Sequence, residues 1–344
     1  MKDDAPGAPG PAPPCPARAD APAPAEAGDG AAFYQLPGDP RPPARAFFVT
    51  AQDGVRLRLA LWAGSAASST VLLFPGRTEY VEKYAPIAAR LSAEGHAVLA
   101  VDWRGQGMSD RLLSDPRTGH IADFAGYQAD VGAMRDAAAA LDLPRPWHLL
   151  AHSMGGCIGL AALNLGLPVR SAVFSAPMWG IHHPPLPRHV VVGLAGAARR
   201  AGQGPRPAVG TGGGGTFVLN APFRGNALTG DAAQWARLVA EAGAWPHLTL
   251  GGASYAWIGA AMAECRRLAA LPSPAVPALI GLGALERVVS PAAIRSRAAR
   301  WPGARLVELP GARHELMFES PPVPDNFLDA ALALMRQAGR ISAR

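Results

Sequence analysis

Trp147-His148-Leu149-Leu150-Ala151-His152-Ser153-Met154-Gly155-Gly156-Cys157 joins a strand to a helix with almost nothing between them. Trp147 to Leu150 reads as a short buried strand and Cys157 to Leu165 as an apolar helix, so Ala151 to Gly156 must reverse the chain. A small-x-Ser-x-Gly turn in that setting is the nucleophile-elbow pattern. Small residues flank the serine because strand and helix approach closely, and the serine itself occupies a strained turn. Ala151 stands where glycine is commoner, a sterically mild departure. Ser153 is the candidate nucleophile.

A serine hydroxyl is a weak nucleophile until a base takes its proton, so a histidine is expected on a loop after the last strand. The strand Arg305 to Leu309 runs into Pro310-Gly311-Ala312-Arg313-His314-Glu315, and His314 is the only histidine after His247. The base needs a carboxylate to hold its tautomer. Strand Ala278 to Leu282 ends in Gly283-Ala284-Leu285-Glu286-Arg287, which makes Glu286 the candidate acid, in the order serine, acid, histidine. An oxyanion would be met by two backbone amides: Met154, after the nucleophile, and Arg77, in the loop Pro75-Gly76-Arg77-Thr78-Glu79-Tyr80.

Outward from this core, Phe47 to Val49 and Val55 to Leu61 flank Asp53-Gly54 as a β-hairpin. Strands at Val71 to Phe74, Ala97 to Val101 and Ala172 to Phe174 alternate with helical spacing over Tyr80 to Glu94 and Tyr127 to Leu141. Ser290-Pro291 caps a further helix. This alternation predicts an α/β fold: a mostly parallel sheet with helices on both faces. Four segments follow: a disordered tail over 1–30, core over 31–178 and 272–344, and between them an insertion over 179–271, with helical patterns around Trp235 and Trp257, expected to form a helical lid.

The chain has 344 residues, about half of them apolar, and 32 Lys+Arg against 26 Asp+Glu for a net charge of +6. The basic residues are scattered, which argues against nucleic acid. Cys15, Cys157 and Cys265 have neither disulfide-framework nor zinc-finger spacing. The N-terminal run lacks the apolar core of a secretory signal, and no apolar run of about 18 residues could span a membrane. The default location is the cytoplasm.

Asp102-Trp103-Arg104-Gly105-Gln106-Gly107-Met108-Ser109 resembles the D-x-R-G-x-G-x-S loop of the monoacylglycerol lipase and lysophospholipase group of α/β-hydrolases. Pro75-Gly76-Arg77 with Tyr84, Arg111 to Asp115, Gly119-His120 and Gly311 to Phe318 resemble its bacterial lysophospholipase L2 branch, within the serine aminopeptidase S33-type hydrolases. The similarity runs from about residue 45 to 335. It implies the α/β-hydrolase fold with a helical lid, hydrolysis of carboxylic esters of acyl glycerol lipids, and no metal or organic cofactor. The chain departs from the group in having Glu286 for the usual Asp and Pro75 for the usual His.

Trp179, Tyr255 and Trp257 are candidate walls of an acyl pocket, which needs apolar lining. Val190 to Ala198, flanked by Arg188, Arg199 and Arg200, is expected to cover that pocket and could also touch a membrane surface, at the inner face for a cytoplasmic protein. Gly210 to Gly215 matches G-x-G-x-x-G without a preceding strand, and His182, His183 and His189 have no acid at ligand spacing, so neither a dinucleotide nor a metal is expected. Two rival readings share the scaffold. A proline-type aminopeptidase would need acidic residues in the insertion, where no cluster is seen, and an idle binding protein would have no use for an intact Ser153, Glu286 and His314.

Overall fold

The computed structural model describes residues 30–41, 43–182, 188–211 and 215–340; Cys15, His183 and most of the segment expected to be a disordered tail lie outside them. Eight strands form one sheet: β1 Arg45–Thr50, β2 Arg56–Trp62, β3 Ser69–Phe74, β4 His96–Val101, β5 Trp147–His152, β6 Ala172–Ser175, β7 Ala278–Gly283 and β8 Ala304–Leu309. The order across it is β1-β2-β4-β3-β5-β6-β7-β8. The β1–β2 hairpin and the β2–β4 pair are antiparallel, and every later pairing is parallel. This is the α/β-hydrolase architecture expected from the sequence.

The helices are α1 Ala85–Ala93, α2 Ala125–Ala140, α3 Met154–Asn164, α4 Arg188–Arg200, α5 Phe217–Asn220, α6 Ala232–Ala244, α7 Tyr255–Ala270, α8 Pro291–Ala299 and α9 Val323–Arg340. Alternation along the strands divides the core in two, since successive side chains point to opposite faces. Leu72, Phe74, Leu99, Leu149, Phe174 and Ile280 pack with α2, α3 and α8. Val71, Leu73, Val98, Leu150, Val173 and Leu279 pack with α1 and α9.

Three departures from the sequence expectations have local causes. The span Tyr80 to Glu94 is not one helix. A 3-10 turn over Val81–Tyr84 precedes α1, where Pro86 is accommodated only at a helix start and the Val81 amide is held by the Asp102 carboxylate at 2.9 Å. Strand β5 runs to His152 and α3 starts at Met154, so Ser153 alone makes the turn. Helix α9, not anticipated from the sequence, closes the second core layer through Phe327, Leu328, Ala331, Leu332 and Met335. Cys157 and Cys265 are buried free thiols. Among the described residues no helix is long and apolar enough to cross a membrane.

The Asp102–Ser109 loop is anchored beneath the sheet edge by a buried arginine. Arg58 Nε donates to Asp102 Oδ2 at 2.7 Å, and its Nη1 and Nη2 donate to the Glu82 carboxylate at 2.7 and 2.8 Å. Asp102 also accepts from the Met108 amide at 2.9 Å, and a Cβ on Gly107, which has φ +52°, would overlap that carboxylate. Because removing one partner of a buried ion network leaves the others charged and dry, Arg58→Met is expected to destabilise the fold by about 3–5 kcal/mol, read as a lowered urea midpoint at unchanged m-value.

Candidate functional site

The elbow forms because its small residues permit contacts that larger ones would block. A Cβ on Gly155 would overlap the Phe74 carbonyl oxygen, and one on Gly156 would lie 2.5 Å from Pro177 Cβ. The first contact presses the start of α3 against the loop after β3, and the second presses it against the loop after β6. Ser153 is left at φ +50°, outside the range a serine ordinarily adopts, and is held there from both sides. Its amide donates to Ser175 O at 3.0 Å, and its carbonyl accepts from the Met178 amide at 2.8 Å.

The three residues expected to act together meet at this point. His314 Nε2 lies 2.9 Å from Ser153 Oγ, and His314 Nδ1 lies 2.8 Å from Glu286 Oε2. The other Glu286 oxygen accepts from the amides of Val288 at 2.6 Å and Val289 at 3.1 Å. Burial alone would raise the Glu286 pKa, but His314 and these two amides outweigh it and hold the carboxyl below its ordinary range. Glu286 therefore stays ionised through neutral and mildly acidic pH, and its support for His314 is lost only as pH falls through that lowered value. The geometry suits proton abstraction from Ser153 by an imidazole whose tautomer is fixed by a carboxylate.

The start of α3, with the Met154 amide in its first turn, and the loop carrying Arg77 face each other through the Gly155 contact, where amides converging on one point would stabilise an oxyanion. Two residues of the Asp102–Ser109 loop, to which the sequence assigns no individual role, brace the Arg77 loop. Gln106 accepts from the Thr78 amide at 2.8 Å and donates to Gly76 O at 3.2 Å, while Trp103 Nε1 donates to Pro75 O at 2.9 Å. The D-x-R-G-x-G-x-S loop thus supports the site from behind.

A cavity of about 630 Å³ opens over Ser153 and His314. The insertion over 179–271 supplies much of its wall, including Phe217, Val218, Leu238, Leu250 and Trp257. Of the three aromatic residues expected to line it, Trp257 does so and two do not. Trp179 lies beneath, its ring 5.1 Å from Phe174 and its Nε1 donating to Gly156 O, which makes it core. Tyr255 is the first residue of α7 and turns its hydroxyl to the Val209 amide at 3.4 Å. The sequence offers no signal to separate these aromatics, because each sits in an equally apolar context.

A buried charge cluster adjoins the catalytic candidates. Lys83 Nζ donates to Glu79 at 2.6 Å and to both oxygens of Glu315 at 2.8 Å, and the Tyr84 hydroxyl donates to Glu79 at 2.5 Å. His152 Nε2 stands 3.5 Å from Glu315 and 3.6 Å from Glu79, and its ring centroid is 4.9 Å from that of His314. Burial opposes charge on Glu315, yet Lys83 and His152 pull its pKa down; burial likewise opposes charge on Lys83, and the two carboxylates raise it. Glu79, His152 and Glu315 could ligate a metal, but the Lys83 ammonium already occupies the position between the carboxylates. The available clue was adjacency: His152 precedes Ser153, Glu315 follows His314, and Glu79 and Lys83 are four residues apart.

The model of the family described as "Serine aminopeptidase, S33" matches residues 65–321. Lysophospholipase L2 of Escherichia coli (strain K12) is 32% identical over 284 residues, covering 78% of this chain and 81% of that one. The probable lysophospholipase L2 of Haemophilus influenzae is 30% identical over 270 residues, covering 77% and 82%. A monoglyceride lipase from Saccharomyces cerevisiae, solved with a substrate analogue, superposes with a TM-score of 0.68 at 17% identity, covering 86% of this chain and 96% of that one.

Two variants test the arrangement. Ser153→Ala should abolish covalent labelling by a fluorophosphonate probe, and Glu286→Gln should slow turnover of an activated ester by roughly 10³- to 10⁴-fold with the fold intact by circular dichroism.

Proposed function

This chain belongs to the serine aminopeptidase S33 family, and we propose that it is a carboxylic ester hydrolase acting on lysophospholipids or monoacylglycerols through an acyl-enzyme on Ser153. The observation that carries the mechanism is the unbroken chain Ser153–His314–Glu286, at 2.9 and 2.8 Å, on the floor of a largely apolar cavity. Ser153 Oγ attacks the ester carbonyl carbon while His314 Nε2 takes its proton. The Met154 and Arg77 amides receive the oxyanion, and His314 returns the proton to the departing glycerol oxygen. Water deprotonated by His314 then cleaves the acyl-enzyme and releases the fatty acid. None of these steps calls for a metal or organic cofactor.

The cavity's charges favour an ester lipid over a peptide amine. An aminopeptidase needs a free carboxylate to meet the substrate ammonium, whereas Glu79 and Glu315 are both committed to Lys83. An uncharged acyl chain, by contrast, gains from the apolar walls.

The insertion over 179–271 acts in this reading as a lid, and it faces lipid. Among the described residues, large apolar side chains left in solvent concentrate on it: Leu194, Val209 at 91% exposure, Phe217 at 53%, Leu219 and Phe223. Such a patch beside a lipid-binding cavity suits peripheral contact with a membrane surface, assisted by Arg199 and Arg200 at the end of α4, and we place the protein at the cytoplasmic face.

In a paired assay of wild type and Ser153→Ala, long-chain lysophosphatidylcholine and monoacylglycerol should be hydrolysed only by the wild type. Turnover confined to a short p-nitrophenyl ester would refute the lipid assignment. Co-sedimentation with anionic vesicles at low salt should fall in Phe217→Ser/Leu219→Ser, and equal sedimentation of the two proteins would remove the membrane contact.

A further inference from the structure

The charged groups lining the cavity are not all neutralised. Glu79, Lys83 and Glu315 satisfy one another, and His314 is engaged by Glu286. Arg77 is different. Among the described residues it forms no ion pair, and the only hydrogen bond from its guanidinium runs from Nη2 to Gly251 O at 3.0 Å. Its Nε is buried with no acceptor. The guanidinium stands 5.0 Å over the Trp257 ring, and room for it is made by Gly119, where a Cβ would come 2.5 Å from Nη2.

Burial without a counter-ion pushes the Arg77 pKa down to about 10, so the group remains a cation at neutral pH while its surroundings penalise the charge. A partly dry cation with unused donors, held in place at a cavity wall, is matched by an oxyanion with two acceptors in a plane. Phosphate is such a partner for the guanidinium fork.

Position narrows the ligand further. The Arg77 amide is the second candidate oxyanion donor, so its own guanidinium can lie no farther from the scissile carbonyl than one arginine side chain. In a lysophospholipid the acyl carbonyl and the phosphate are separated by the glycerol skeleton, a span of similar length, whereas a monoacylglycerol carries no charge there.

We propose that the Arg77 guanidinium, seated between Gly119, Gly251 and Trp257, is a subsite for the head-group phosphodiester of a lysophospholipid and selects that substrate over a monoacylglycerol. The inference rests on the reading of this cavity as a lipid-ester site.

The test is the ratio of kcat/KM for lysophosphatidylcholine to kcat/KM for the monoacylglycerol of the same acyl chain, measured in wild type, Arg77→Lys and Arg77→Met. The ratio should fall roughly 10- to 100-fold in Arg77→Met, chiefly through KM for the phospholipid, and should be partly kept in Arg77→Lys. If both substrates lose activity in proportion, Arg77 is merely a strut to Gly251 and the proposal falls. A second readout needs no lipid turnover: inhibition of p-nitrophenyl butyrate hydrolysis by sn-glycero-3-phosphocholine, inorganic phosphate and glycerol. Inhibition by glycerophosphocholine that Arg77→Met relieves supports the head-group site. Inhibition by inorganic phosphate alone would assign a free-anion site, and no inhibition by either would leave no anion site; both results overturn the proposal. If the enzyme cleaves the short ester but neither lipid, the substrate class fails, and this readout still decides the role of Arg77.

Discussion

Everything at the catalytic end of the sheet depends on how closely α3 approaches the loop after β3. Gly155 lies where a side chain would collide with the Phe74 carbonyl, and Gly156 is nearly as tight against Pro177. This contact sets the Ser153 backbone at φ +50°, turns the first amides of α3 toward the Arg77 loop, and fixes where the imidazole of His314 must come to meet Oγ. A methyl group at Gly155 would separate the nucleophile from one candidate oxyanion donor while leaving all three triad residues in the sequence. The strain at Ser153 is local, and it is held by hydrogen bonds to Ser175 at the end of β6 and to Met178 in the loop that follows.

Two buried charge networks, meeting at the adjacent Glu82 and Lys83, support that contact. Arg58, with Asp102 and Glu82, shapes the loop that supplies Gln106 and Trp103 to brace the residues before and after Gly76. Lys83, with Glu79 and Glu315, links the turn before α1 to the residue after His314, and Glu79 also accepts from the Gly76 amide. Each network ties loops distant in sequence to the same few residues. Burying these groups is unfavourable unless every charge is matched, so the arrangement is selective: a displaced loop would leave an ion dry and unpaired.

The catalytic geometry was legible in the sequence because its chemistry demands particular residue types at the ends of particular strands. Ser153, Glu286 and His314 follow β5, β7 and β8 in the order anticipated, and the hairpin and the parallel strands carry their apolar patterns openly. Other features depend on three-dimensional proximity, which no local pattern encodes. Glu315, the second carboxylate on the Lys83 ammonium, lies 232 residues away along the chain. Trp179 and Trp257 look alike along the chain, yet one packs under the elbow on Phe174 and the other lines the cavity. Helix α9 buries Phe327, Leu328, Ala331, Leu332 and Met335 against the second face of the sheet, a partner that its own apolar spacing does not identify.

The insertion is fastened to the core unevenly. The residues leading into α7 are stitched to the loop before α2 by the Gly119 amide to Gly252 O, the Ser254 amide to Gly119 O and the Gly251 amide to Arg117 O, at 3.0, 2.9 and 2.7 Å, as though a short extra strand had been sewn across the gap. By contrast α5 has no buried residue. The segment after α5 is tied in turn to the His314 loop, the Glu315 amide donating to Leu228 O at 2.9 Å and the Thr229 hydroxyl to Phe318 O at 2.8 Å, so the insertion is stapled to the core at both flanks and the exposed α5 is the stretch slung between the two fastenings.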